Sequence, residues 1–187
     1  RVGAILTTNN FNITLTSDGT TNSGSLVISE VNEVSAIVAG SSTVTVAGFV
    51  DIKNSGYLTS TVSGSWTVSG SWTTVSTSAS WSFAAPITFD SATGGTMTFA
   101  GANLAGAEFG SVTFNSTAGT AQTFTMATRG LRWLTTLTVS DTSSTTALAT
   151  ADLALGAAAD TADIVVGNGG ILTANASTIL VNGVTMT

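Results

Sequence analysis

The chain has 187 residues, enough for one domain with a real core or one elongated array, and only 7% of them are charged, against roughly 25% in an ordinary soluble domain. Its four basic residues, Arg1, Lys53, Arg129 and Arg132, face ten acidic ones; a net charge of −6 with no basic cluster larger than Arg129/Arg132 argues against nucleic acid as a partner, because phosphate backbones are held by lysine and arginine. Cysteine and histidine are absent, which excludes disulfides, zinc held by thiolate or imidazole, and nucleophilic triads in which an imidazole moves the proton.

Apolar residues alternate with Ser and Thr along short segments, the pattern of strands buried on one face. In chain order, strands are predicted over residues 12–16, 25–29, 43–46, 49–53, 65–68, 80–83, 87–90, 96–99, 111–114, 123–126, 136–139, 164–166 and 178–181. Turn signals separate many of them: Asp18-Gly19, Ser23-Gly24, Asn54-Ser-Gly56, Gly94-Gly95, Asn168-Gly-Gly170 and Asn182-Gly183, where glycine and asparagine supply the backbone freedom of tight corners. The single proline, Pro86, falls at a strand start, where a missing N–H costs least. The alanine-rich stretch 146–162 reads as strand, since Leu148, Leu153 and Leu155 alternate with small residues.

Val62-Ser-Gly-Ser-Trp-Thr67 recurs unchanged as Val68-Ser-Gly-Ser-Trp-Thr73, and Ser80-Trp-Ser-Phe83 echoes it. The repeat has no fixed period over the whole chain. Short strands of drifting spacing, joined by Gly and Asn corners, predict an all-β fold, first of all a β-solenoid (a parallel β-helix), in which turn lengths vary while rungs stack. The alternative is a Greek-key β-sandwich, pilin-like, completed by donor-strand exchange. Residues 1–187 are read as a single domain or one elongated solenoid, with 1–60 a less regular segment.

The later part of the chain, Gly110-Ser-Val-Thr-Phe-Asn115, Leu137-Thr-Val-Ser140 and the run from Gly167 through Asn168-Gly-Gly-Ile-Leu-Thr to Gly183, resembles the Ser/Thr/Gly-rich parallel β-helices of microbial surface proteins, such as autotransporter passengers and filamentous-haemagglutinin-type adhesins. The resemblance is one of texture over less than half the chain. It implies the solenoid fold and a cell-surface or extracellular location, and it transfers no site residues.

Chemistry is sparse. Carboxylate-pair hydrolysis of a polysaccharide stays open in principle, but the acids (Asp18, Glu30, Glu33, Asp51, Asp90, Glu108, Asp141, Asp152, Asp160 and Asp163) are scattered through the sequence. Glu30 and Glu33 read as a solvated pair. Asp160 and Asp163, ahead of Asn168-Gly-Gly170, are the candidates for calcium, although the full Gly/Asp repeat of calcium-binding loops is missing, so no cofactor or metal is expected. Trp66, Trp72 and Trp81 are either carbohydrate-stacking platforms or core, and core is favoured because large aromatics bury the most area. Arg129 and Arg132 either clamp a carboxylate such as Glu108 or decorate a loop, and Lys53, the only lysine, is the one residue able to form an isopeptide bond to Asn or Asp. Asn12, Asn115 and Asn175 head Asn-x-Ser/Thr sequons and are candidate glycosylation sites.

The Thr-x-Thr pairs at Thr43/Thr45, Thr96/Thr98, Thr123/Thr125 and Thr136/Thr138 raise an ice-binding array, set against the lack of a regular rung length to keep it flat. No apolar run reaches the ~18 residues of a membrane helix, and an eight-stranded outer-membrane barrel is disfavoured by the single tyrosine. The sequence therefore points to a non-enzymatic, secreted structural protein, extracellular or at the cell surface once a leader is removed. Its partner is expected to be itself. Terminal strands without charges at Val2, Ile5 and Leu6 and at Ile179, Leu180, Val181 and Val184 are expected to pair head to tail into a homopolymeric filament or surface layer. The alternatives are an adhesin or glycan-binding module and a carboxylate-dependent polysaccharide enzyme.

Overall fold

The computed structural model describes residues 5–20, 23–28, 35–53, 56–74, 80–91, 95–99, 109–115, 122–126, 135–139, 146–150, 153–154, 163–166, 170–173 and 179–180. Within them the chain is all-β. The first turns of chain give β1 (Ile5–Thr7), β2 (Ile13–Leu15), β3 (Leu26–Ile28), β4 (Ala36–Val38), β5 (Thr43–Val46), β6 (Val50–Ile52), β7 (Tyr57–Ser60), β8 (Ser65–Val68) and β9 (Trp72–Thr74). There follow β10 (Ser80–Phe83), β11 (Ile87–Asp90), β12 (Gly95–Phe99), β13 (Val112–Asn115), β14 (Gln122–Met126) and β15 (Thr136–Val139). The last are β16 (Thr146–Thr150), β17 (Leu153–Ala154), β18 (Asp163–Val166), β19 (Gly170–Thr173) and β20 (Ile179–Leu180). Of the alanine-rich stretch 146–162, β16 and β17 are strand, as its alternation predicts, and residues 151–152 and 155–162 lie outside the described residues.

These strands form three larger parallel sheets and a small pair. The first sheet runs β1-β4-β7-β10, the second β2-β5-β8-β11-β13-β15-β18 and the third β3-β6-β9-β12-β14-β16-β19, with β17 beside β20. Up to β12, each strand pairs with the third strand along, so the chain visits the three sheets in rotation. Every pairing among the described residues is parallel. That removes the Greek-key sandwich and its donor-strand variant, which are built from antiparallel strands. The physical reason lies in the connections: neighbours in a sheet are separated by whole strands of the other sheets, whereas antiparallel neighbours need only a tight hairpin.

The alternation read from the sequence becomes columns of like residues. In the second sheet, Val44, Trp66, Ile87, Val112 and Leu137 lie in register, as do Val46, Val68, Phe89, Phe114 and Val139, and all ten side chains are buried. Val50, Trp72 and Met97 do the same in the third sheet, and Ile37 and Leu58 in the first. All belong to one apolar cluster that the three sheets share. Burying each such side chain is worth about 1.5–3 kcal/mol, and a one-residue slip would turn the whole column outward. Intervening Thr and Ser face solvent, where β-branched threonine suits an exposed strand.

Candidate functional surfaces

The centre of the core is aromatic. Trp66 meets Trp72 edge-on at 6.3 Å and Phe83 at 5.2 Å, while Trp72 meets Phe109 at 5.4 Å; Phe89 stacks on Phe114 at 5.2 Å. The two identical hexapeptides produce this arrangement. In the first copy, Val62 to Gly64 make a corner and Ser65 to Thr67 enter β8; in the second, Val68 ends β8, Ser69 and Gly70 turn, and Trp72 enters β9. Each copy therefore delivers one tryptophan inward from consecutive sheets. The Trp66 indole N–H donates to Ser60 Oγ at 3.1 Å. Trp66 and Trp72 are 2% and 0% exposed, so neither can stack on a sugar without opening the core, and the carbohydrate reading loses both. The Trp81 side chain lies outside the described residues.

The ends of the sheets differ from their middles. Leu6 pairs with Ile37, which pairs with Leu58, so Leu6 heads an inward column; yet it is 51% exposed, while Ile37 and Leu58 are buried. At the far end Val166 follows buried Val139 in an inward column and is 46% exposed. Ile5, Phe11 and Val27 add exposed apolar area on or beside the first strands, and Ile171 does so on β19. Of the residues expected to join subunits, Ile5 and Leu6 sit on the edge strand β1, and Ile179 and Leu180 form β20, which edges the small pair. Val2, Val181 and Val184 lie outside the described residues.

A groove of about 460 Å³ crosses the corner between the second and third sheets, lined among others by Ser23, Ser25, Phe49, Asp51, Ser71 and Thr73. Asp51 Oδ2 lies 3.7 Å from Lys53 Nζ, and Asp51 Oδ1 is covered but has no hydrogen-bond partner. Lys53 is thus in an ion pair with a strand neighbour. Sequence reasoning missed this groove, because Phe49 and Asp51 look like ordinary alternating strand residues until β6 is placed between β3 and β9.

Between the groove residues Ser17 and Thr20, Asp18 organises the connection from β2 to β3. Its Oδ1 accepts from Thr20 Oγ1 at 2.6 Å and from the Thr20 N–H at 2.9 Å, and Ser23 Oγ accepts from the Asp18 N–H at 3.2 Å. The Thr20 hydroxyl first, then the Thr20 amide and the Ser23 hydroxyl, hold the Asp18 carboxyl at about 2, below the usual carboxylate range.

Asn12 is exposed, and its Oδ1 accepts from the Thr43 N–H at 3.1 Å, which leaves its amide nitrogen outward; Asn115 is half-buried at the end of β13, and Asn175 lies outside the described residues. Asp163 begins β18. Glu30, Glu33, Glu108, Arg129, Arg132, Asp141, Asp152 and Asp160 lie outside the described residues. Among the described residues, no group of three or more His, Cys, Asp or Glu is placed to hold a metal, and no helix is long and apolar enough to cross a membrane. No protein-family model matches the chain, and no curated protein or solved structure matches it significantly.

Proposed function

We propose that the three sheets are the faces of a parallel β-solenoid and that the protein is a structural subunit of an extracellular homopolymer, joined end to end through the edge strands of its sheets. The rotation of the chain through three sheets, with each strand paired to one a full turn later, supports the solenoid. The observation that carries the assembly is that inward columns end on exposed Leu6 at one end and exposed Val166 at the other. At these exposed positions a second copy would continue the columns while pairing the backbone groups of the edge strands. Hydroxyl-rich, nearly uncharged faces suit an extracellular fibre or layer, and a chain without histidine or cysteine is read as non-catalytic.

Electron microscopy over a rising concentration series tests this. Regular fibres are expected from the wild type, and Leu6→Lys is expected to suppress them while the circular dichroism of the subunit is kept. Persistent wild-type monomers would sink the proposal.

The groove favours a second reading, a saccharide-binding adhesin. Phe49 offers an apolar platform, the Asp51–Lys53 ion pair a polar edge, and serine and threonine hydroxyls the rest of the lining. Binding on a glycan array that disappears in Phe49→Ala would support it, and an array without hits would remove it.

A further inference from the structure

The second sheet carries an outward array that neither core packing nor end-to-end assembly uses. Thr14, Thr45, Thr67, Thr88, Thr113 and Thr138 lie in register across β2, β5, β8, β11, β13 and β15. Two residues before each threonine on the later strands stand Thr43, Ser65, Pro86, Ser111 and Thr136, so all but one of these strands carries a second hydroxyl, although Ser65 Oγ donates to Thr43 Oγ1 at 3.2 Å and Ser111 Oγ bonds Thr135 Oγ1 at 2.7 Å. The unequal lengths of chain between the strands do not disturb the array, because register is set by strand pairing and the differences are taken up in the connections. This meets the objection that an irregular repeat cannot keep threonines aligned. It also changes the membership: Thr96, Thr98, Thr123 and Thr125 belong to the third sheet.

Strand preference accounts for threonine on an exposed face but not for an unbroken column. The same preference acts on the outward rows of the other sheets, where Ile5, Ala36 and Tyr57 alternate in kind, as do Val27, Asp51 and Thr73. A second observation points outward. Among the described residues, none of the six threonine hydroxyls has a protein hydrogen-bond partner, although five of the six side chains are only partly exposed. Their partners must come from the solvent side.

Parallel strands are ~4.8 Å apart, and residues two apart on one strand are about 6.7 Å apart. A β-branched side chain with restricted χ1 holds its methyl and hydroxyl in fixed positions, so the face is a preset two-dimensional lattice. Rows of oxygen on the prism face of hexagonal ice repeat at nearly these two distances. We propose that this face of the second sheet binds ice, with the threonine methyls seated between water positions and the hydroxyls bonded to an ordered layer that continues the crystal.

Other occupants fit less well. Polysaccharide surfaces are gripped by aromatic platforms, and the outward positions of this face from β2 to β15 hold no aromatic side chain among the described residues. A second protein copy would need more area: six strands and two columns span about 24 Å by 12 Å, roughly 300 Å², whereas a stable protein interface takes roughly 800 Å² from each partner. The face between Asn12 and Thr138 is also nearly neutral, Asp90 being the one charged side chain among its described residues. Neutrality suits an uncharged solid.

The test uses the monomeric fraction of the full chain, so that polymerisation does not enter the result. Fluorescently labelled wild type is expected to be taken into a slowly growing ice surface and to halt recrystallisation of fine ice. Thr88→Tyr, a bulky lesion in the middle of the column, is expected to lose both, with Thr113→Lys as an independent lesion should the first not fold. Thr73→Tyr, outward on the third sheet, is expected to keep both, and circular dichroism confirms the fold of each variant tested. Exclusion of the wild type from ice along with an inert control protein overturns the proposal, as does full activity in a folded Thr88→Tyr. Retention on insoluble cellulose or chitin in place of ice overturns it too.

Discussion

Ser60 shows how much a single hydroxyl can matter in a core that, among the described residues, buries no charged side chain. Its Oγ is the acceptor for the buried Trp66 N–H, and Ser60 is itself 3% exposed. Removing the acceptor strands a desolvated donor, which costs about 1–3 kcal/mol. Ser60→Ala is therefore expected to lower the urea midpoint by that free energy without changing the m-value, and Trp66→Phe combined with it should cost less than the two singles added together. Asp18 is a different kind of residue, fully solvated and held by local bonds. Its folded carboxyl at about 2 lies below the ~3.9 of an unfolded aspartate, so its contribution is complete above the unfolded value and is lost as pH falls from there through the folded one. Carbon-detected NMR titration should find the Asp18 carboxyl still ionised at pH 3, and Thr20→Val should raise its midpoint toward the ordinary range. An unperturbed midpoint in the wild type would mean that the Thr20 bonds do not persist in solution.

The corners decide whether one strand can stack on another, and two glycines show two different constraints. A Cβ on Gly70, at the corner between β8 and β9, would lie 2.7 Å from the Gly48 carbonyl oxygen of the corner below it. Both groups are backbone, so neither can swing away. Gly19 has open space around it but a φ of +85°, a conformation that costs an L-residue roughly 1–2 kcal/mol. Gly70→Ala is expected to cost about 1–3 kcal/mol through overpacking and to loosen the pairing of β6 with β9, seen as faster amide exchange in both strands; Gly19→Ala should cost less and leave that exchange unchanged. At this scale the sequence was partly legible. Period-two alternation located β5, β8, β11, β13 and β15, because each shows two inward apolar residues flanked by Ser or Thr. It failed at β4 and β7, where Ile37 and Leu58 are the single buried apolar residue in strands of three and four. One inward residue gives no period, and those strands exist because their neighbours in the sheet supply the pairing. The threonine column was hidden for a related reason: its members are unevenly spaced in the chain, and only pairing reveals that they are neighbours. The tryptophan repeat pointed to the right place, since two identical corner-and-strand units in succession put two indoles in one core.

For the whole molecule, the parallel pairing has a consequence that composition cannot give. With every described strand pair parallel, the two ends of a sheet are chemically different: β1, β2 and β3 expose one set of backbone groups and Leu6, while β18 and β19 expose the other set and Val166. The head-to-tail contact proposed above is then heterologous, the first edge of one copy meeting the last edge of the next, and such a contact grows a filament when its rotation does not close a ring. This can be separated from a two-fold contact by mixing variants. Leu6→Lys disables the first edge and Val166→Lys the last, and each alone is expected to remain monomeric by light scattering, because a chain with one dead end cannot pair with its own kind. Mixed in equal amounts they are expected to give dimers and nothing longer, the intact last edge of one variant meeting the intact first edge of the other. A two-fold contact between first edges predicts otherwise: Val166→Lys alone would dimerise, and adding Leu6→Lys would not increase the yield. Fibres from either single variant would show that assembly runs through some other surface than these two edges.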